Sequence, residues 1–156
     1  MLFPALGAIV LLLVISAFFS GSETALTAVS RGRMHQMQKE GSTAARDVNL
    51  LIANRERMIG AVLLGNTFIN ILASSLATQL LLARLGPRAV AVTTAVMTLV
   101  ILMFAEVLPK TLAIARTDRF ALSVAPALGR VVAVLAPIVA GVQWLAWRLL
   151  FLFGVR

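Results

Sequence analysis

Three clusters of oxygen-bearing side chains interrupt segments that are otherwise hydrocarbon: Ser20-Gly21-Ser22-Glu23-Thr24, Gly65-Asn66-Thr67 with Asn70, and Glu106 followed by Pro109-Lys110. Hydroxyl, amide, carbonyl and carboxylate oxygens suit a hard cation such as Mg²⁺, which takes about six of them at roughly 2.0 to 2.1 Å. Polar groups at membrane depth are costly, so three such interruptions in one chain call for a common reason. Asn66 and Asn70 are one helical turn apart and share a face. Pro109 lacks an N–H, so in a continuous helix the Ala105 carbonyl beside Glu106 loses its usual partner. Gly21 allows the first helix to loosen and turn the carbonyls of Phe19, Ser20 or Gly21 into a cavity.

Each feature also has a plainer reading. Ser and Thr in membrane helices bond the carbonyl one turn back, and Gly7, Ser16, Ser20 and Gly21 let helices approach closely. Asn66 and Asn70 can hold helices or subunits together. Glu23 can sit among headgroups, and Lys110 can snorkel. Glu106 resists such treatment, because a carboxylate near hydrocarbon needs a partner. The weight lies in the convergence of the three clusters.

Other chemistry finds no footing. Ser20-Gly21-Ser22 has no base at its depth, since the single histidine, His35, falls in a hydrophilic loop. No phosphate-binding glycine loop is present. No enzymatic activity is expected. The chain has no cysteine, so a metal here takes oxygen.

The elements that must position these groups are membrane spans. Of the 156 residues, 60% are hydrophobic and 13% charged, and the mean hydropathy is +0.97. Such long apolar runs define an integral membrane protein. The net charge of +8 comes without a basic stripe interleaved with aromatics, which argues against nucleic acid and for membrane orientation. Residues 1–19 lack the basic start of a signal peptide and read as a retained first helix.

One transmembrane domain over 1–156 is expected, with spans at about 2–24, 58–83 and 89–110. The loop between the first two carries Arg31, Arg33, Lys39, Arg46, Arg55 and Arg57 and is cytoplasmic by the positive-inside rule, which puts the N-terminus outside. Short helices are expected over about 34–54, divided at Gly41-Ser42. Arg84 to Arg88 makes a tight outer turn around Gly86-Pro87. From about 118 to 153 the chain is apolar but broken by Pro126, Gly129, Pro137 and Gly141; a fourth span over 131–147 and a helix lying in the headgroup layer are equally compatible with it. Thr117-Asp118 reads as its cap. On a rise of about 1.5 Å per residue, Ser20, Asn66 and Glu106 all fall in the inner half of a core about 30 Å thick.

Phe18-Phe19-Ser20-Gly21-Ser22-Glu23-Thr24-Ala25, Leu64-Gly65-Asn66-Thr67 with Asn70-Ile71, and Glu106-Val107-Leu108-Pro109-Lys110-Thr111, in that order, resemble the transmembrane domain of the CorC and cyclin M family of magnesium transport proteins. The likeness covers essentially the whole chain. It implies an all-α fold, a homodimer in the lipid bilayer with three spans per subunit, short cytoplasmic helices after the first span, and a juxtamembrane belt helix after the third. It also implies cytoplasmic CBS domains that bind nucleotide and are absent from this chain, which then reads as a transmembrane fragment.

The same resemblance implies Mg²⁺ held between helices and open to the cytoplasm, at Ser20, Gly21, Ser22, Glu23, Asn66, Asn70, Glu106 and Pro109. It implies Mg²⁺ export by alternating access, with Na⁺ entry as the driving reaction it suggests; periodicity and composition do not identify the coupling ion. A Mg²⁺-sensing or scaffolding anchor that regulates another transporter is the alternative from a different class. A proton-coupled carrier using Glu106 is disfavoured, since one carboxylate makes a poor proton chain.

Overall fold

The computed structural model describes residues 2–155, all of them helix or short connection with no strand among them. Helix α1 spans Leu2–Ala28. Two short helices follow, α2 at Arg31–Lys39 and α3 at Thr43–Ala53. Each has a serine at its N-cap: Arg33 N donates to Ser30 Oγ, and Ala45 N donates to Ser42 Oγ at 3.1 Å. Between them Gly41 takes φ +99°, a conformation that glycine adopts without penalty.

Helix α4 runs from Arg55 to Leu85. The apolar stretch Arg55–Ala115 is 61 residues, far more than one crossing needs at about 20 residues. It folds back at the 3₁₀ turn Gly86–Arg88, where Gly86 has φ +64°. Helix α5, Ala89–Val100, returns along α4. It passes into a π-helical segment, Ile101–Val107, and then into α6, Leu108–Ala115. The Leu108 N–H bonds to Met103 O, five residues back, immediately before Pro109, which has no N–H to give. We call the α2–α3 end the loop side and the Gly86 end the turn side.

Helix α7 is continuous over Thr117–Leu152 despite Pro126 and Pro137. By length and composition it is able to cross a membrane, as are Leu2–Ala28 and the Arg55–Ala115 stretch. Its contacts describe something else. Phe120 lies against Gly21, seven residues from the end of α1, and Val139 lies against Gly60, five residues from the start of α4. These contacts are about 28 Å apart along α7, yet they meet α1 and α4 at nearly the same distance from their loop-side ends. Helix α7 therefore runs across those ends, with α3 beside it, as a belt. Its first turn has no side-chain cap: Thr117 Oγ1 donates to Ile114 O, and Asp118 pairs with Arg33 on α2.

Two apolar clusters result. The larger, on the loop side, joins Phe19, Leu26, Met34, Val48, Met58 and Leu128 from five helices. The smaller, on the turn side, is Ile9, Ala73, Ala77 and Met97.

Candidate cation site

Helix α1 meets α4, the π segment and α6 along its length. A close seat sets the register of the first pair. The Phe19 ring lies over Gly65, where a Cβ would come within 2.7 Å of Cζ. Only glycine leaves that room, and the contact brings the Ser16 and Ser20 face of α1 onto the Asn66 and Asn70 face of α4.

Between these faces three oxygens converge. Ser16 Oγ is 2.6 Å from Asn66 Oδ1 and 2.6 Å from Asn70 Oδ1. Asn66 Nδ2 donates to Glu106 Oε1 at 3.1 Å, which fixes the Asn66 amide with its oxygen towards Ser16. A hydroxyl has one proton, so Ser16 cannot donate to both amide oxygens at once. The cluster is thus rich in lone pairs and poor in protons. Adjacent ligands in an octahedron with bonds of 2.0 to 2.1 Å stand about 2.9 Å apart, close to the spacing observed here.

One turn along from Ser16, Ser20 is 1% exposed, and its hydroxyl has no hydrogen-bond partner among the described residues. A buried hydroxyl without a partner costs about 1 to 3 kcal/mol, and a bound cation offers it one. From the third span comes Glu106, on the π segment. Its other oxygen, Oε2, is 3.3 Å from Lys110 Nζ, so a cation arriving here competes with a tethered ammonium. The side chains of Ser16, Asn66, Asn70 and Glu106 thus meet across three spans, with Ser20 one turn along from Ser16, and all of them carry oxygen. Among the described residues no group of three or more His, Cys, Asp or Glu gathers anywhere.

The remaining expected residues fall differently. The first helix does not loosen at Gly21, which corrects the expectation of freed carbonyls there; α1 is continuous to Ala28. Gly21 instead seats Phe120, whose ring would meet a Cβ at 2.5 Å. Ser22 is buried, but its Oγ donates to Phe18 O at 2.5 Å, and two residues on from Ser20 it points to the opposite side of the helix. Glu23 is half-buried, and its carbonyl accepts from Thr27 Oγ1. Pro109 is buried at the end of the π segment. From the sequence, Ser16 reads as a packing residue. The signal that could have found it is its four-residue spacing from Ser20, which repeats the spacing of Asn66 and Asn70.

Two open clefts lie beside the site. One cleft begins at Asn70 and runs to Gln79, and another joins Glu106 to Thr93, both towards the turn side. The opening that the resemblance implies is towards the loops, where the side chains of Glu106 and Lys110 are 26% and 44% exposed.

An all-helical chain with apolar helices of spanning length and a polar cluster between them is a multi-pass membrane protein. Over residues 7–156 it matches the cyclin M transmembrane N-terminal domain, and it belongs to that family. It is 48% identical over 99 residues, 64% of its length, to the UPF0053 inner membrane protein YfjD of Escherichia coli, of which it covers 23%. It is 32% identical to a UPF0053 protein of Haemophilus influenzae over 71% of this chain and 26% of that one. It is 30% identical to a chloroplastic DUF21 domain-containing protein of Arabidopsis thaliana over 93% of this chain and 22% of that one. The chain thus spans about a quarter of the length of the curated relatives it matches.

Proposed function

We propose that this chain is the membrane part of a Mg²⁺ transporter that carries the ion outward by alternating access. The observation that carries the reading is the convergence of Ser16 Oγ, Asn66 Oδ1 and Asn70 Oδ1 within hydrogen-bond distance, flanked by the unpartnered Ser20 hydroxyl and by Glu106. Mg²⁺ gives up water reluctantly, so several ligands must replace it together. Ser16, Ser20, Asn66, Asn70 and Glu106 supply five oxygens and leave one position for water. Glu106 offsets the ion's charge once Lys110 swings aside. The absence of thiolate and imidazole favours a hard cation over zinc or copper.

The basic α2–α3 region faces the cytoplasm and the N-terminus lies outside. The ion enters beside Glu106 and Lys110 and leaves towards the Gly86 turn. Two copies pair in the bilayer, Na⁺ entry drives the cycle, and nucleotide acts only through cytoplasmic domains of the longer protein.

Purified chain titrated with Mg²⁺ in a calorimeter, followed by Mg²⁺ efflux from proteoliposomes with and without an imposed Na⁺ gradient, tests this. Binding with Na⁺-dependent flux is the expected result. Binding without flux makes the chain a sensor or anchor. Absence of binding ends the proposal.

A further inference from the structure

Helix α7 has sides of different chemistry, which can be read at about 100° per residue. Ala121, Leu128, Val132 and Val139 are buried against the bundle, and Val134, Ile138 and Val142, each more than half exposed, form an apolar flank. The other flank faces the loop-side helices, where Asp118 pairs with Arg33 of α2. Arg119, Arg130 and Arg148 come round to the side away from the bundle, between the two flanks. With the apolar flank towards hydrocarbon and α2 and α3 towards water, the arginine side lies level with the lipid headgroups.

Part of that side is a cleft. Between α3 and α7 a space of about 540 Å³ has Asp47, Asn54, Arg57 and Arg130 in its wall, together with Leu50 and Pro126. Both arginines are exposed, and neither is held in an ion pair: the pairs among the described residues are Arg33 with Asp118 and Lys110 with Glu106. Asn54, which precedes α4, makes no capping bond with its side chain. Two guanidiniums stand against one carboxylate, so the cleft is positive on balance. A guanidinium presents its N–H groups as a fork that matches phosphate oxygens two at a time. Leu50 and Pro126 place apolar surface beside that charge.

We propose that the α3–α7 cleft is a binding site for one anionic phospholipid. Its phosphate sits between the Arg57 and Arg130 guanidiniums, Asp47 and Asn54 meet the hydroxyls of a glycerol headgroup, and the acyl chains rise along the apolar flank of α7. Diffuse attraction to an anionic membrane accounts for arginines anywhere on this side of the helix. It does not account for two of them, from separate helices, sharing one cleft with hydrocarbon in its wall. The site is independent of the cation site and of the transport proposed above.

The test is native mass spectrometry of the full chain in detergent, titrated with phosphatidylglycerol and with phosphatidylcholine of the same acyl chains. One phosphatidylglycerol per chain is expected to stay bound, favoured over phosphatidylcholine by about tenfold or more. Arg57→Gln with Arg130→Gln abolishes that preference and leaves oligomeric mass and melting temperature unchanged, since both side chains are exposed. Arg46→Gln with Arg119→Gln removes the same charge from exposed positions outside the cleft and keeps the preference. Equal retention of the two lipids by the unaltered chain overturns the proposal, and so does an equal loss from the two double variants, which leaves only diffuse attraction. Glycerol phosphate that competes at the concentration of the lipid overturns it in favour of a soluble anion. A changed oligomeric mass in the Arg57 and Arg130 variant overturns it in favour of a contact between copies.

Discussion

The loop-side and turn-side halves of this chain are built from the same three spans and differ in how they are filled. On the loop side α1 and α4 are belted by α2, α3 and α7, and one apolar cluster ties six helices together. On the turn side the buried residues that α1, α4 and α5 share are Ile9, Ala73, Ala77 and Met97, with clefts alongside whose walls mix hydroxyls with apolar side chains. The Ser16, Asn66 and Asn70 cluster sits where the two meet. The contrast teaches a division of labour: one half fixes the Ser16, Asn66 and Asn70 side chains in register, and the other leaves room next to them.

The contrast breaks most visibly in the core. Met34→Ala and Leu128→Ala, at positions wholly buried on the loop side, are expected to cost about 2 to 5 kcal/mol in thermal or denaturant unfolding. Met97→Ala on the turn side should cost less, because lipid gives helices little hydrophobic reason to associate. Equal losses would dissolve the distinction between the halves. At the boundary, Asn70→Ala and Ser16→Ala each remove a proposed ligand. Mg²⁺ affinity measured by calorimetry should fall about 100-fold, near 2.7 kcal/mol, with the melting temperature little changed.

Gly65→Ala separates seating from ligation. Its Cβ collides with the Phe19 ring and should cost about 1 to 3 kcal/mol in stability while also weakening Mg²⁺ binding through lost register. Phe19→Leu in the same chain should recover much of the stability, as measured by thermal unfolding. The smallest effect is expected at Arg33→Ala. The Arg33 side chain is 67% exposed, so the loss of its pair with Asp118 should cost no more than about 1 kcal/mol and should shrink in high salt.

Apolar length and the basic loop made the all-α membrane class legible, because bilayer thickness and charge placement act on composition directly. Asn66 with Asn70 was legible for a similar reason: a four-residue spacing names a shared face without knowing the partner. Ser20-Gly21-Ser22 misled because adjacency in the chain is not adjacency on a helix. Ser22 turns away, while Ser16, four residues before Ser20 and hidden in a hydrocarbon run, is the one that meets the asparagines. Gly21 and Gly65 are seats for rings that arrive from distant residues, Phe120 and Phe19. No local pattern announces a seat before its occupant is known.

The π-helical turn at Ile101–Val107 carries a last consequence, for insertions and deletions. A five-back ladder places the residues after it at an angle that a four-back ladder would not give. Loss of one residue there would leave hydropathy and length almost untouched, and the span would still be inserted. A residue lost before Glu106 would nevertheless carry Glu106 and Lys110 round together by up to about 100°, since the two stand four residues apart, and the carboxylate would leave Asn66. In this stretch the number of residues matters more than their identity, so a shortened gene product would be a well-made membrane protein with its carboxylate facing the wrong neighbour.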